Sequence, residues 1–538
     1  MKTKTALLSV FNKAGIAEFA RELIALGVNI FATGDTVTHL RDAVVQVDDA
    51  ADFIFGGPIP DRSVVSMSQE LHAALLARHT PNDEAELSEL GIPHIDLVCV
   101  DLCPFENEIP TPGFTHESAI EKNNIDAIAM ILSATKGQRL VICDPADRAK
   151  VLKWLNDGEP DNGFIGELRA KAEFMIARYY GAAAMYHGGD RYDFMAGTKV
   201  AEGKGENGPQ GPSIFYDHGT DDPLAHASFE QVQGIPMGHV NRTDLERLLQ
   251  TITHAAAAFD VNFGSVPHLA IGVKHGNACG GAYGTNEVDV LQKMLEGDLQ
   301  AIFGGYIMTN FVITQECAEV LLRHKMPAES KRRKLDGIVA PGFTPLAVER
   351  LKSQSGTCRL IGNPALGNLG LNSLDAKSLR TQVRGGHLKQ GNYRFVLDLR
   401  ETNPDLKIYG NISRDQRADL CLAWSVCATS NSNTITGAKN RMLIGNGVGQ
   451  MSRVRAARLM LYNATDSGHD PHESSASGDS YFPFIDGPET LINSGVTTIF
   501  ATSGSINDQL IINLCKERGV TLLMMPDSLA RGFFGHGT

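Results

Sequence analysis

Short apolar runs alternate with segments of helical periodicity near the start of the chain, and this alternation limits the fold to the α/β class. Residues 5–10 form an apolar run, residues 13–26 repeat their apolar side chains at helical spacing, and residues 28–32 form a second run. A strand, a helix and a strand in that order predict a parallel sheet, because the helix carries the chain back. The same unit continues with predicted strands at 95–100 and 140–143 and a helix at 167–186.

The composition places a domain boundary near residue 195. Glycines and prolines are dense over residues 203–212, between two regions of alternating strand and helix pattern. We therefore predict a first domain at residues 1–195 and a second region at residues 196–538. Strands and helices alternate in the second region over residues 269–273, 288–295, 301–308, 337–339, 359–361, 415–427, 497–501 and 521–524. The polar segment 466–480 lacks periodicity and is interpreted as a loop.

The charge and hydropathy of the chain argue against several classes of protein. The 538 residues carry a formal charge of −13, which disfavours a general nucleic-acid-binding surface. No apolar run reaches the length of a membrane span, and the N-terminus lacks the apolar core of a signal peptide. Nine cysteines occur without a CxxC pair, so neither a zinc site nor a disulfide framework is indicated. We expect a cytoplasmic protein that uses no metal and binds neither membrane nor nucleic acid.

The pair Lys274–His275 is the strongest candidate for chemistry. It follows the apolar run 269–273 and precedes a glycine-rich turn. Ligands bind at strand ends in α/β domains, and glycine lets the backbone approach them closely. A neighbouring ammonium group favours the neutral imidazole, which is the form that accepts a proton. A solvated pair on a loop is the alternative that the dipeptide alone leaves open.

A second candidate site lies in the first domain. Ser9 and Lys13 follow the first predicted strand, and Thr33, Gly34 and Thr36 follow the second. Hydroxyl groups, a glycine and free N–H groups at the start of a helix favour an anion, so we predict phosphate binding here. Ordinary helix caps and turn residues are the alternative explanation.

Three more residues of the first domain suit a reactive crevice. Asp126 and Lys136 could act as acid and base, with a surface ion pair as the alternative. Cys103 lies in the segment 101–105, which ends a predicted strand and either lines the same crevice or forms only a proline turn.

Three patches in the second region complete the candidate residues. Asn433 offers an uncharged amide for a developing oxyanion. Arg453 follows three alternating glycines and suits a carboxylate or phosphate, although the spacing is not that of a dinucleotide-binding loop. Tyr481 and Asp486 place an aromatic surface near a carboxylate, which suits a flat heterocycle. Each patch alone also has a purely structural explanation.

Taken in order, these segments resemble the bifunctional AICAR formyltransferase/IMP cyclohydrolase family of purine biosynthesis. The resemblance runs from Leu7 to His536. Its motifs are VKHGNACG at 273–280, AIFGG at 301–305, IVAP at 338–341, RGG at 384–386, SN at 432–433, GQMSR at 449–453 and FPFIDG at 482–487. The resemblance implies an N-terminal methylglyoxal synthase-like domain with a parallel sheet, followed by two cytidine deaminase-like α/β subdomains.

The resemblance also implies an activity. A formyl group would pass from the co-substrate 10-formyltetrahydrofolate to the 5-amino group of AICAR, giving formyl-AICAR, and the N-terminal domain would cyclise this product to IMP. A homodimer is implied, and a monovalent cation is raised as a further cofactor. The amine of AICAR is conjugated to its ring and is a weak nucleophile, so the reaction needs proximity, a base and a stabilised oxyanion.

Matching by position carries the family's roles to this sequence. His275 matches the general base, Lys274 the neighbour that tunes it, and Asn433 the amide that orients the formyl group. Arg453 matches a contact to the substrate nucleotide, Tyr481 an aromatic wall and Asp486 a folate contact. The matching residues of the N-terminal domain are Ser9, Lys13, Thr33, Gly34, Thr36, Asp126 and Lys136.

The sequence departs from the family pattern in several places. In segment 203–210, Lys204 replaces an aromatic residue of the family, and the family's arginine is absent. One contact to AICAR is therefore weakened or made by another residue. Segment 61–68 keeps Arg62, a substrate-binding candidate, but lacks the lysine that would hold the cyclisation intermediate. Cys103 replaces a tyrosine, and Arg531 matches the family's C-terminal arginine only in a shifted register. We therefore predict cyclisation far slower than at an intact site.

A second hypothesis belongs to a different class of function. A catalytically reduced homologue would bind purine nucleotides as a regulatory protein. The altered segments 61–68 and 203–210 favour this hypothesis, whereas Lys274, His275 and Asn433 together favour the formyltransferase.

Overall fold

The chain folds into two compact units, Met1–Ala196 and Gly197–Thr538. The computed structural model describes residues 3–54, 66–103, 105–109, 111–160, 162–327, 332–352 and 356–534. Among these residues, no helix has both the length and the apolar character that crossing a membrane requires.

The first unit is built on a five-stranded sheet. Its elements are β1 Thr5–Ser9, α1 Ile16–Ala25, β2 Asn29–Ala32, α2 Gly34–Asp42, β3 Asp48–Asp49, α3 Gln69–Leu76, α4 Pro81–Glu89, β4 Leu97–Val100, α5 Phe105–Glu108, α6 His116–Glu121, α7 Ile125–Lys136, β5 Leu140–Ile142, α8 Arg148–Asn156 and α9 Asn162–Gly188. The strand order is β3-β2-β1-β4-β5, and every pair is parallel. The predicted parallel sheet is confirmed.

Helices cover both faces of this sheet, and α1 shows how the sequence achieves this. Its apolar residues Ile16, Phe19, Ala20 and Leu23 are buried on one stripe. The helix ends at Gly27, whose φ of +82° suits glycine. The N–H groups of Gly27 and the next residue then bond back to the carbonyls of Ile24 and Leu23, at 2.8 and 3.0 Å.

The strand order creates a switch point between β1 and β4. The chain winds outward from β1 to β3 on one side and from β4 to β5 on the other. The connections on the two sides leave a crevice at the carboxyl ends of β1 and β4, which is where α/β sheets bind ligands. Ser9 and Asp101 lie at these two strand ends.

The second unit contains a mixed sheet of twelve strands. Its elements are β6 Thr198–Gly203, β7 Ser213–Asp217, β8 Glu230–Gln233, α10 His239–Phe263, β9 His268–Lys274, β10 Asn277–Gly284, α11 Glu287–Glu296, β11 Tyr306–Thr309, α12 Gln315–Arg323, β12 Gly337–Ala340, α13 Pro345–Leu351, β13 Arg359–Gly362, β14 Ser378–Val383, β15 Gly386–Gly391, β16 Lys407–Tyr409, α14 Arg414–Ala428, β17 Ile435–Lys439, β18 Met442–Gly447, α15 Arg453–Asp466, β19 Ser475–Gly478, α16 Asp486–Asn493, β20 Thr498–Ser503, α17 Asp508–Glu517, β21 Thr521–Pro526 and α18 Asp527–Ala530.

The large sheet consists of two halves with the same topology. Its order is β16-β21-β20-β19-β17-β18-β10-β9-β11-β12-β13-β8, and the halves join where β10 pairs antiparallel with β18. Each half begins with an edge strand, β8 or β16, and continues with a long helix, a hairpin, a helix, and then three strands separated by two helices. The second unit therefore repeats one α/β subdomain.

Glycines in both hairpins let the following helix pack closely. A Cβ atom on Gly280 would lie 2.1 Å from the carbonyl oxygen of Met294, and one on Gly445 would lie 2.3 Å from that of Met460. Gly280 is in β10 and Gly445 is in β18, and each methionine is the eighth residue of the next helix. The two halves therefore share a backbone contact that any larger residue would disrupt.

Two interpretations of the sequence require correction. The segment 466–480 was expected to be a loop, but it contains β19, which lies between β17 and β20. Its Ser475 and Ser477 are buried, and the small side chains let α14 lie close, with the Cys427 Sγ 3.3 Å from the Ser477 carbonyl. In segment 301–308 the strand begins only at Tyr306, after a turn.

We predict that Gly280→Ala lowers the stability of the protein by about 1–3 kcal/mol, because the new methyl group must displace the Met294 backbone. Urea denaturation measures the change in the free energy of unfolding. Gly386→Ala is the matched control, since a Cβ at that exposed hairpin position has no neighbour within 4 Å. Equal stability of the two variants would contradict the close-packing argument.

Candidate functional site

The pair Lys274–His275 lies at the tip of the hairpin formed by β9 and β10. Lys274 is paired with Asn277, so His275 and Gly276 are the two central residues of the turn. Their φ values are +51° and +71°, as a type I′ turn requires. The His275 side chain is exposed, which makes its imidazole available to a ligand.

The turn is held by a buried carboxylate on α10. The Gly276 N–H donates to Asp244 Oδ1 at 2.7 Å. Burial raises the pKa of Asp244, while this hydrogen bond and the charges of His275 and Lys274 act in the opposite direction. Asp244 thus fixes the backbone beside His275 and places a carboxyl group behind it.

Lys274 anchors the hairpin on its other side. Its Nζ donates to the Phe303 carbonyl at 2.6 Å, in the turn before β11. Gly304 follows with a φ of +71°, and a Cβ there would lie 2.9 Å from the same Nζ. The ammonium group therefore has a structural role in ordering this turn.

The second half of the sheet repeats this arrangement without the imidazole. Asn440 and Arg441 form the turn between β17 and β18, again with positive φ values. The Arg441 N–H donates to Asp419 Oδ1 at 2.9 Å, and Asp419, like Asp244, is the sixth residue of its helix. Lys439 Nζ donates to two carbonyls in the segment before β19. His275 is thus the residue that distinguishes the first hairpin from the second.

Arg247 joins the His275 hairpin to two other segments. A Cβ on Gly276 would lie 3.4 Å from the Arg247 Cγ. The guanidinium group donates to the Thr429 carbonyl at 2.9 Å, the Phe534 carbonyl at 2.8 Å and Asn431 Oδ1 at 2.6 Å. It also stacks 4.6 Å from the Phe534 ring centroid. One side chain therefore links the hairpin, the loop after α14 and the C-terminal segment.

Asn433 lies in that loop and is fixed by Gln450. The two residues exchange backbone hydrogen bonds at 3.2 and 2.9 Å, and Asn433 Nδ2 donates to the Gln450 carbonyl at 2.9 Å. One N–H bond of the carboxamide is used in this way. A primary carboxamide has a second N–H bond that can donate to another acceptor.

Arg453 belongs to a buried polar cluster next to Asn433. Its guanidinium group donates to Asp479 Oδ1 at 3.2 Å, and Ser432 Oγ donates to Asp479 Oδ2 at 2.5 Å. Burial raises the pKa of Asp479, although Arg453 opposes this effect. Arg453 also lies 6.0 Å from the Tyr481 ring centroid. The structure thus brings Asn433, Arg453 and Tyr481 into one neighbourhood around Asp479.

The three other candidates of this unit, Lys204, Asp486 and Arg531, are exposed. Lys204 is exposed, and its carbonyl accepts the N–H of His239 at 2.8 Å, at the start of α10. Asp486 is exposed at the first position of α16. Arg531 is ion-paired with Asp527 at 3.0 Å.

Cys279 is not a nucleophile in this environment. It lines a cleft of about 280 Å³ between β10 and β18, together with Lys274 and Asn446. Burial raises the pKa of its thiol to about 12, so the reactive thiolate does not form near neutral pH.

The predicted anion residues of the first unit lie together at the switch point. Thr33 Oγ1 donates to Ser9 Oγ at 2.6 Å. Lys13 Nζ donates to Thr36 Oγ1 at 3.2 Å, and that oxygen also accepts the Val10 N–H. Gly34 begins α2 with a φ of +50°. Hydroxyls, an ammonium group and a helix start therefore share one crevice, which suits a phosphate.

Asp101 and Arg148 extend this crevice. Asp101 Oδ1 accepts the N–H groups of Phe11 and Asn12, and Arg148 lies 3.7 Å from Asp101 Oδ2. Burial raises the pKa of Asp101 and lowers the pKa of Lys13. The sequence had included Asp101 only as a lining residue and had missed Arg148, which belongs to a later helix.

Asp126 and Lys136 occupy opposite ends of α7. Ten residues of helix separate their Cα atoms by about 15 Å, so the two side chains do not act on one reacting atom. Asp126 accepts the Ser66 hydroxyl at 2.6 Å, on the side of the crevice, whereas Lys136 precedes the amino end of β5. The structure therefore does not bring Lys136 to the anion cluster. Arg62 lies outside the described residues.

Sequence reasoning missed the residues that hold the second site together. Asp244 and Arg247 lie on α10 and Asp479 directly follows β19, and none of the three belongs to a motif identified in the sequence. A signal was nevertheless present in the repeat: Gly272 and Gly437 each precede a lysine by two residues and a glycine by eight. Aligning these two segments would have predicted two equivalent hairpins.

Two family models match the chain. A family model described as AICARFT/IMPCHase bienzyme matches residues 136–463, and a model described as MGS-like domain matches residues 15–129. A crystal structure of ForH is 31% identical and covers 34% of this chain and 97% of its own, with a TM-score of 0.31.

Two curated relatives span almost the whole chain. Both are named bifunctional purine biosynthesis protein PurH, one from Nostoc sp. (strain PCC 7120 / SAG 25.82 / UTEX 2576) and one from Trichormus variabilis (strain ATCC 29413 / PCC 7937). Each is 29% identical and covers 97% of this chain and 98% of the relative. Since the bienzyme model matches more than half of the residues, the chain belongs to the AICARFT/IMPCHase bienzyme family.

Proposed function

We propose that the second unit transfers a formyl group from 10-formyltetrahydrofolate to AICAR, and that the first unit binds the phosphoribosyl product and cyclises it slowly to IMP. Family membership supports purine biosynthesis as the setting. The observation that carries the transferase proposal is the contrast between the two hairpins. They share their scaffold, yet only the first presents an exposed imidazole, on His275.

The proposed reaction uses His275 as the base. The amine nitrogen of AICAR attacks the formyl carbon and gives a tetrahedral intermediate. His275 takes a proton from that nitrogen, the bond from the formyl carbon to N10 of the folate breaks, and N10 takes up a proton. Asp244 holds the turn that presents the imidazole. Lys274 fixes the neighbouring turn through the Phe303 carbonyl and adds positive charge beside the reacting groups.

Asn433 is proposed to stabilise the oxyanion. Its carboxamide is oriented by the bond to the Gln450 carbonyl, and its second N–H bond is the proposed donor to the oxyanion. A donor that is fixed before the reaction lowers the barrier because it does not reorganise as charge develops. Arg453 is proposed to orient the nucleotide through the edge of its guanidinium group that Asp479 does not occupy.

An exposed apolar surface beside Asp486 is proposed to receive the folate. Phe484 is 65% exposed and Ile485 is 41% exposed, directly before Asp486. A pterin is a flat heterocycle with N–H donors, so aromatic contact and a carboxylate acceptor suit it. Tyr481 would form the wall on the side of Arg453.

The family resemblance supports further parts of the proposal. We propose that the enzyme works in the cytoplasm as a homodimer, with AICAR, formyl-AICAR, IMP and folate as its small-molecule partners, and that a monovalent cation supports activity. The regulatory alternative lacks support, since the curated relatives are named as biosynthetic proteins.

We predict that His275→Asn lowers the rate of formyl transfer by about 10²–10⁴-fold, because it removes the base. The fold should persist, since asparagine tolerates positive φ and Asn440 occupies the equivalent turn. Absorbance of released tetrahydrofolate measures the rate, and thermal melting checks the fold. Asn440→Ala is the matched control and should keep its transfer rate. A fully active His275→Asn enzyme would refute the assigned base.

Arg247→Lys should slow formyl transfer by at least about tenfold, which corresponds to about 1.4 kcal/mol. Lysine cannot bind all three acceptors of the guanidinium group, which are the Thr429 and Phe534 carbonyls and Asn431 Oδ1. The loop after α14 and the C-terminal segment therefore lose their link to the hairpin. The same absorbance assay measures this change. Arg455→Lys, at an exposed position of α15, is the control. Unchanged kinetics in Arg247→Lys would show that the link is irrelevant to transfer.

For the first unit, we predict that added formyl-AICAR is converted only slowly to IMP. Chromatography of the reaction mixture over time measures the rate of IMP formation. Lys13→Ala should weaken binding of formyl-AICAR, because Lys13 is part of the anion cluster. Lys136→Ala should leave binding and rate unchanged, since it lies at the far end of α7. A rapid reaction that Lys136→Ala abolishes would contradict both the slow rate and the placement of the site.

A further inference from the structure

Two histidines and an aspartate meet at the amino end of the first unit's sheet, away from the anion cluster. His79 follows α3, and His94 and Asp96 directly precede β4. One ligand atom from each of the three residues lies within 4.8 Å of the others. The switch-point crevice is at the carboxyl ends of the same strands, so this cluster belongs to neither of the proposed reactions.

The distances within the cluster suit a transition-metal ion. His79 Nε2 lies 3.6 Å and His94 Nδ1 lies 3.2 Å from Asp96 Oδ1. Ligands at the usual zinc distances of about 2.0–2.2 Å are about 3.3 Å apart in a tetrahedral site. Both distances to Asp96 Oδ1 are therefore close to the separation of ligands that share one ion.

His94 provides independent support for a missing ligand. Both of its ring nitrogens are buried: Nδ1 faces Asp96 Oδ1 at 3.2 Å outside good hydrogen-bond geometry, and Nε2 has no hydrogen-bond partner among the residues that the structure describes. Buried polar atoms are normally satisfied, because leaving one without a partner costs free energy. A metal ion bound to Nδ1 would satisfy this nitrogen.

The groups around the cluster orient the ligands. Asp96 Oδ2 accepts the N–H groups of Lys4 and Thr5 at 2.8 and 3.1 Å, which directs Oδ1 toward the histidines. Glu84 lies 3.7 Å from His79 Nδ1, so it favours a proton there and a lone pair on Nε2. Such outer partners are typical of metal-binding histidines and carboxylates.

Arg139 limits the strength of the site. Its guanidinium group lies 3.2 Å from His79 Nε2 and is held by the carbonyls of Leu75 and Ala77. A bound ion would replace the hydrogen bond to Nε2 and would be repelled by the nearby charge. The expected binding is therefore weaker than in a closed cysteine site.

We propose that His79, His94 and Asp96 bind one zinc-class divalent ion, with water completing the coordination, and that this ion ties the loop after α3 to the start of β4. The site is structural and independent of formyl transfer. Cysteine spacing gave no sign of it, because its ligands are histidines and a carboxylate from two loops.

The test is titration of the purified full-length protein with Zn²⁺ and Co²⁺. Calorimetry should show one bound equivalent, the Co²⁺ complex should develop the visible absorption of a four- or five-coordinate ion, and the melting temperature should rise. His79→Gln and His94→Gln should each weaken binding by at least about tenfold. His79 lies in a partly exposed loop, so its variant should fold even if the His94 variant does not.

His39→Gln, in α2 of the same unit, is the control and should bind the ion as the parent does. No binding by the parent protein would overturn the proposal. Binding that is unchanged in both His79→Gln and His94→Gln, or that is lost equally in His39→Gln, would also overturn it, since the ion would then be held elsewhere.

Discussion

A hydrogen bond between a buried carboxylate and the backbone of a hairpin turn determines how the second unit presents its chemistry. Asp244 accepts the Gly276 N–H, and Asp419 accepts the Arg441 N–H. Two-residue turns with positive φ values are unfavourable for most side chains, so each turn needs support from outside the hairpin. The helix supplies that support in both halves, and the residue at the first turn position is then free to be chosen for chemistry.

The ligand crevice of the first unit forms in a simpler way. It arises from strand order alone, because the chain reverses direction of winding between β1 and β4. Ser9, Lys13, Thr33 and Thr36 meet there because they lie at or just after the carboxyl ends of β1 and β2. Such a site is predictable from sequence, since consecutive parallel strands place their ends side by side.

That difference explains what the sequence could predict. The anion cluster, the parallel sheet and the position of His275 at a strand end follow from local patterns. The strand β19 did not, because Ser475 and Ser477 are polar and their burial depends on α14 lying over them. Arg247 was also missed, since its partners Thr429, Asn431 and Phe534 are distant in sequence, and only the folded chain assembles them.

The repeat also constrains how Lys274 should be understood. Lys439 binds carbonyl groups before β19 as Lys274 binds one before β11, although no histidine stands beside it. A lysine at this place is therefore explained by turn stability in both halves. The proposed catalytic difference between the halves then rests on His275 and on Arg247, which links the first hairpin to the loop after α14. The two halves thus share one hairpin scaffold, and the proposed base stands in the turn of the first half.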